Sequence, residues 1–440
     1  MKVERRKRLA SRTSSSVLST ARVRRPGRPM SSTARAFERK HAGCWPVGHL
    51  AGWRGPSGFS SRSTAREVVR ENAGLHTLHG RVAVVTGANC GVGFETARAI
   101  ALGGAEVVVL ACRDSIAGAE AARVIQDEAR FVAGDDGSSS CRVCCLRVDM
   151  ESFESVRTFA DAFARLNLPL HILVHNAGLM PAPYERTRDG HERHMQVNVL
   201  SPVLLTRLLF RALRGEDDGS NTAGADEGAL LEKNAAARVV FVTSAAHRFT
   251  YPEGVRLSRQ TDTHHQASRA NHDPMRAYGE SKLCVLFLAK IFACACEASR
   301  APRQRRVAFF AAHPGAIVTK GSERARLESG GWRGAALHAI GRPFLKTAEA
   351  GAASVAFCCV ARFEAEEDAS SEEKDGKNSF FLKNGAYVVN CDAARASRFV
   401  ERDVRLARRA CRFAITATNA FPETRNDAFA EQLANGAYGA

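Results

Sequence analysis

"TGANCGVGFETARAIA", Thr86 to Ala101, sets three glycines, Gly87, Gly91 and Gly93, between an apolar run and a segment of helical spacing. Upstream, Val82, Val84 and Val85 in "RVAVVTG" read as a buried strand, and downstream small and apolar residues recur at helical intervals until "GG" stops them. The implied order is strand, tight turn, helix. A turn free of side chains reverses sharply and presents peptide N–H groups at the positive end of a helix dipole, which suits a pyrophosphate. In a chain holding 35 glycines the same run also fits an ordinary turn, so the flanks decide. "AEVVVLACRD" follows as a second buried strand at the distance of a βαβ unit.

From Leu78 onward the two periods alternate. Candidate strands are "RVAVVTG", "AEVVVLAC", "CRVCCLRVDM", "LHILVHNAG", "ARVVFVTSAA", "RVAFFAAHPG" and, late, "GAYVVNC", with helical segments between them. This predicts an α/β fold, a Rossmann-type doubly wound parallel sheet covered on both faces. "AGDDGSSS", "GEDDGSNTAGADEGALLEKN" and "AEEDASSEEKDGKN" read as solvated inserts.

Charge is unevenly spread. The formal charge is +17, from 63 Lys+Arg against 46 Asp+Glu, yet residues 1–66 alone carry 16 basic and 2 acidic side chains. The near-neutral remainder argues against nucleic acid as a partner. A Ser/Arg-rich leader over residues 1–77 fits a transit peptide for a mitochondrion or plastid; a disordered basic tail and a polybasic arm for nucleic acid or membrane are the alternatives. "CVLFLAKIFACACEA" is broken by Lys290 and too short to span a bilayer, so no transmembrane segment is expected, while peripheral membrane contact stays open. Thirteen cysteines, an odd number spread along strands and helices, fit reduced core thiols. The CxxC within "CRVCC" lacks a second pair at metal spacing, and a structural role is expected there.

In an open parallel sheet ligands bind beyond the carboxyl ends of the strands. Those ends carry Arg113, placed to meet a 2′-phosphate; Asp149, which equally suits a helix cap; "HNAG", His175 to Gly178; "TSAAH", Thr243 to His247; and "HPGAIVT", His313 to Thr319. The most specific element is "YGESK", with Tyr278 and Lys282 four apart on one helix face.

"TGANCGVG", "HNAG", Ser244, "YGESK" and "HPG", in this order, resemble the short-chain dehydrogenase/reductase family, and most closely its retinol dehydrogenase and WW-domain-containing oxidoreductase branch, over about residues 78–395. The resemblance implies a catalytic tetrad of Asn198, Ser244, Tyr278 and Lys282. It also implies that Gly87, Asn89, Gly91, Gly93, Arg113, Asp149, Asn176, Ala177, Gly178, Pro314, Gly315, Ile317 and Thr319, with Tyr278 and Lys282, line NADP(H). No metal is needed. The chain then divides into the leader, a catalytic domain over 78–411 and an extension over 412–440; members of the family often pair through the helices that here carry Asn198 and Tyr278, which leaves a homodimer open.

Some positions depart from the pattern: Cys90 stands where Ser is common, Asn198 is followed by "VLSPV", His175 replaces a frequent Asn, and "RQTDTHHQASRANHD" is inserted before Tyr278. His264 and His265 in that insert read as solvated. In the implied reduction Tyr278 protonates a carbonyl that Ser244 polarises, while Asn198 holds a water that links Lys282 to solvent. Bringing a phenol from a pKa of about 10 down by roughly 3 units takes about 4 kcal/mol, much of it expected from Lys282. The substrate is expected to be a lipophilic ketone, aldehyde or alcohol. Two other readings are a protochlorophyllide-reductase-like enzyme, disfavoured by "HNAG" where that enzyme has Cys-Asn-Ala-Ala, and a non-catalytic NADPH-binding redox sensor partnering a membrane complex.

Overall fold

Val82–Thr86 (β1) has no exposed position, and its alternate side chains feed two separate cores, Val82 and Val84 on one face of the sheet and Ala83 and Val85 on the other. A strand buried on both faces is what a continuous apolar run encodes. The structure, a computed structural model, describes residues 54–72, 78–134, 141–215, 236–257, 269–298, 305–317, 345–362 and 382–418. The remaining strands are β2 Val107–Cys112, β3 Arg142–Arg147, β4 Ile172–His175, β5 Ala237–Val242, β6 Val307–His313, β7 Tyr387–Val389 and β8 Asp392–Ala393, in the order β3-β2-β1-β4-β5-β6-β7-β8. All neighbours pair in parallel except β7 and β8. The direction of winding reverses between β1 and β4, so a crevice opens at their carboxyl ends.

The helices are α1 Ala65–Asn72, α2 Gly91–Leu102, α3 Ser115–Ala133, α4 Phe153–Ala164, α5 Ser201–Leu208, α6 Phe210–Arg214, α7 Pro274–Ala298, α8 Ala348–Val360, α9 Arg398–Arg402 and α10 Val404–Thr418. Residues of α1, α2, α3 and α8 build one core, and those of α4, α5, α7 and α10 the other. The CxxC is divided by the sheet itself: Cys141 belongs to one core and Cys144 packs against the other, as period-two alternation requires.

Folded chain lies on the outer side of both expected domain boundaries. Residues 54–72 of the stretch read as leader are part of the body: Ala65, Val68, Val69 and Asn72 of α1 are buried, and the helix packs on α8 and α2. Thr64 and Glu67 close a capping box at its start, each side chain accepting from the other residue's backbone N–H. Four charged residues in eight hid this short helix from a periodicity reading. At the other end α10 continues through residue 411 to Thr418, with Phe413, Ala414 and Ile415 buried. It packs along α7 and α5, and Arg207 of α5 donates to the Ile415 carbonyl and to Thr418 Oγ1. β8 was also unexpected; it returns through Asn390 and Cys391, both at positive φ, the backbone of a tight hairpin turn that Asn favours and Cys rarely enters. Residues 1–53, the bulk of the three inserts and His264 and His265 lie outside the described residues.

Four histidines are buried as neutral rings. Desolvation holds His171 and His175 down at about 3, and His247 and His313 at about 4. His171 Nδ1 accepts the Val82 N–H, a bond that exists only while that nitrogen is unprotonated.

Two outcomes are expected. Val68→Ala should destabilise the protein by about 2 kcal/mol through lost burial, while Arg70→Ala on the exposed side of α1 should change stability by less than about 0.5 kcal/mol; urea melts compare them. Because the folded imidazoles titrate below the unfolded value near 6.5, the unfolded chain binds protons first: their contribution is complete above pH 6.5 and is lost as pH falls through 4. The melting temperature should therefore drop steeply between pH 6.5 and 4, and a flat profile there would contradict neutral burial.

Candidate functional site

The glycine turn owes its shape to close contacts. A Cβ on Gly93 would lie 2.3 Å from Asn176 Nδ2 and 2.4 Å from the Gly87 carbonyl oxygen, and one on Gly87 would lie 2.9 Å from Ala177 Cα. Gly87 and Gly91 also hold φ of 64° and 63°, which only glycine adopts without strain. Around Gly91 a Cβ would meet nothing within 4 Å, so the turn faces open space there. Cys90 caps α2 with extended backbone and no side-chain bond, and the helix presents its first N–H groups beside that space. Such donors, with the Arg113 guanidinium at the end of β2, fit a group bearing phosphates.

The "HNAG" segment is stitched under this turn. Thr86 Oγ1 accepts from the backbone N–H of Asn176 and of Ala177, and Asn176 Nδ2 donates to the carbonyls of Thr86 and Gly87. A Cβ on Gly178 would lie 3.2 Å from Asn198 Oδ1 and 3.3 Å from Lys282 Nζ, so this glycine leaves room for both side chains beside it. Asp149 accepts the Glu151 N–H at 3.0 Å, while α4 is capped by Ser152. Arg113, with 66% of its side chain exposed, pairs with Glu151 at 3.1 Å. Pro314, Gly315 and Ile317 follow β6, where the Ala316 carbonyl accepts the Lys346 N–H. Asn89 is half-buried in the turn, and Thr319 lies outside the described residues.

Asn198 sits in a π-helical turn, Gln196–Leu200, ahead of α5. Its Oδ1 accepts the Leu179 N–H at 2.8 Å, and its Nδ2 donates to the Leu179 carbonyl and to Ser281 Oγ. The side chain thus holds the "HNAG" loop onto the helix of Tyr278. Lys282, buried on α7, donates to the Val242 carbonyl at 2.9 Å, and its Nζ lies 5.7 Å from the centre of the Tyr278 ring. Desolvation brings its ammonium down to about 8. The phenol of Tyr278 moves the opposite way from the expected depression: burial raises it, and a hydrogen bond with Ser244 offsets part of the rise. The rise comes from burial, and the Lys282 ammonium stands beside it, anchored on the Val242 carbonyl.

Four supports of this arrangement went unread in the sequence. His247 Nδ1 donates to the Ser244 carbonyl at 2.6 Å and locks the 3₁₀ turn Ala245–Arg248. That turn rests on the backbone of α7 beside Tyr278, since a Cβ on Gly279 would lie 2.3 Å from the Phe249 oxygen and 2.5 Å from that of Ala246. Buried Glu280 accepts from the Arg256 N–H and guanidinium, and that guanidinium stacks 3.5 Å from the Tyr251 ring centre. Finally, Glu192, His194 and His272 cluster beside Tyr278: His194 Nδ1 donates to Glu192, while Ala182 donates its N–H to His194 Nε2 and accepts from His272 Nε2. The two rings grip both backbone groups of one loop residue. Met180, Phe249 and Met275, large apolar side chains on three separate segments, stand 57%, 64% and 49% exposed.

A family model described as short chain dehydrogenase matches residues 81–256. The human WW domain-containing oxidoreductase is 32% identical over 300 residues, 68% of this chain and 62% of that protein. Retinol dehydrogenase 12 of Mus musculus is 32% identical over 284 residues, 64% of this chain and 74% of its own length. The chloroplastic short-chain dehydrogenase TIC 32 B of Brassica napus is 30% identical over 274 residues, 62% and 73%. The chain thus spans under two thirds of the WW domain-containing relatives it matches. A crystal structure of an uncharacterised protein from Mycobacterium paratuberculosis superposes with a TM-score of 0.52 at 23% identity, covering 84% of this chain and 98% of that one, a likeness of fold. Covering nearly three quarters of the retinol dehydrogenase and of the chloroplastic enzyme at such identity, this chain belongs to the short-chain dehydrogenase/reductase family of oxidoreductases, on the branch those relatives define.

Proposed function

We propose that the protein is an NADP(H)-dependent oxidoreductase that interconverts a lipophilic ketone or aldehyde with its alcohol. The observation that carries this reading is the convergence of Ser244, Tyr278 and Lys282 at the carboxyl ends of the strands, next to the glycine turn. NADP(H), when bound, supplies or takes up the hydride. The N–H groups of the Gly87–Gly93 turn would hold its diphosphate and Arg113 its 2′-phosphate; Asn89, Asp149, Asn176, Ala177, Gly178, Pro314, Gly315, Ile317 and Thr319 would line the rest.

Tyr278, with its phenol above the ordinary value, stays protonated at neutral pH and donates that proton to the carbonyl oxygen in reduction. Ser244 orients the same oxygen. Lys282, charged below about pH 8, stabilises the phenolate left behind, and Asn198 keeps the loop of Gly178 against both. The retinol dehydrogenase among the relatives supports an apolar substrate. α10 packs along α7 and α5, the helices through which two copies would pair. The basic leader, together with the chloroplastic relatives, supports delivery to an organelle, plastid or mitochondrion.

Tyr278→Phe should lower kcat for reduction of an apolar carbonyl such as retinal by about 10² to 10⁴ with NADPH affinity unchanged. Undiminished turnover would turn the reading toward a cofactor-binding sensor. Arg113→Ala should weaken NADPH roughly ten- to a hundredfold and NADH little, measured by quenching of protein fluorescence. Equal losses for both cofactors would remove Arg113 as the phosphate reader.

A further inference from the structure

We propose that Glu151 sets the affinity for the 2′-phosphate by competing for Arg113, and that Arg193 restrains that competition. The inference rests on the reading of Arg113 as the phosphate-binding side chain. Glu151 and Arg113 stand just beyond the ends of the adjacent strands β3 and β2, and one carboxylate oxygen, Oε1, serves two guanidinium groups, Arg113 Nη1 at 3.1 Å and Arg193 Nη2 at 2.8 Å. Arg193 is itself held from the other side by Glu185 at 2.5 Å, with 24% of its side chain exposed, whereas that of Arg113 is 66% exposed. The two carboxylates raise the Arg193 guanidinium above its ordinary value, and the backbone N–H of Glu151 is tied to Asp149 Oδ1. Glu151 is therefore fixed in place, firmly paired with the more buried arginine and loosely with the exposed one.

A phosphate dianion approaching Arg113 meets this carboxylate already there. Two anions at one guanidinium repel, and the weaker pairing gives way: Arg113 passes to the phosphate while Glu151 remains on Arg193. NAD(H), with no 2′-phosphate, is indifferent to the exchange. Glu151 thus acts on NADP(H) alone, and it does so more strongly whenever Arg193 is absent to share its charge.

The test measures dissociation constants for NADPH and NADH by fluorescence titration at low ionic strength on wild type, Glu151→Gln, Arg193→Met and Glu151→Gln in the Arg113→Ala background. Glu151→Gln should tighten NADPH roughly three- to tenfold, Arg193→Met should weaken it by a similar factor, and NADH should change in neither. In the Arg113→Ala background Glu151→Gln should have no effect. Opposite signs from two partners of one ion pair are not what loss of a structural contact produces. Unchanged NADPH binding in Glu151→Gln, or parallel changes in both cofactors, overturns the inference. Failure of the underlying reading is separate, because Arg113→Ala would then affect NADPH and NADH alike. Should Glu151→Gln not fold, Glu151→Ala takes its place, with NADPH again expected to tighten and NADH to stay unchanged.

Discussion

The hydroxyl of Thr86 is fully buried, takes hydrogen bonds from two consecutive backbone N–H groups, Asn176 and Ala177, and donates to the Val174 carbonyl. β1 and β4 part company here, their following segments leaving toward opposite faces of the sheet, and this one side chain ties them across the gap. Everything in the crevice hangs from that junction. Asn176, so placed, reaches back to the glycine turn; Gly178 then arrives where Asn198 and Lys282 can stand beside it; and Leu179 is delivered to the Asn198 amide. The turn that faces the open space and the helix that carries Tyr278 are thereby set by the same few hydrogen bonds.

Electrostatically the interior is arranged around avoided charge. Burial keeps four imidazoles neutral and brings the Lys282 and Lys346 ammonium groups to about 8, while it pushes the Tyr278 phenol upward. Burial disfavours the charged form of each group, phenolate and ammonium alike, and so moves their titrations apart. No formal ion pair is required between them for this; the shared dry surroundings produce both shifts.

Strands and the crossover pattern were legible in the sequence because runs such as "VVVLAC" and "VAFFAAH" admit one reading once a glycine turn fixes the first βαβ unit. Gly87, Gly93, Ser244, Tyr278 and Lys282 were legible because their spacing within and between elements is itself the signal. His247, Gly279, Glu280 with Arg256 and the His194–His272 pair were not, since each acts through a contact between segments distant in sequence. α1 had a local signature, the Thr64–Glu67 capping box, but its surroundings of charge and glycine masked it. The direction of the Tyr278 shift was beyond sequence reasoning altogether: it depends on how deeply the phenol is buried, a three-dimensional fact.

α10 also bears on the order in which the molecule is built. The last described helix lies on the helix of Tyr278, and Arg207 reaches residues 208 and 211 positions further along to fasten it. During synthesis the glycine turn and its first strands emerge early and can close among themselves, while α7 leaves the ribosome with its α10-facing side uncovered until α10 follows. The turn that would hold the diphosphate thus emerges well before the helix that would perform chemistry. Throughout that interval the flank of α7 that α10 will cover stays open to other partners.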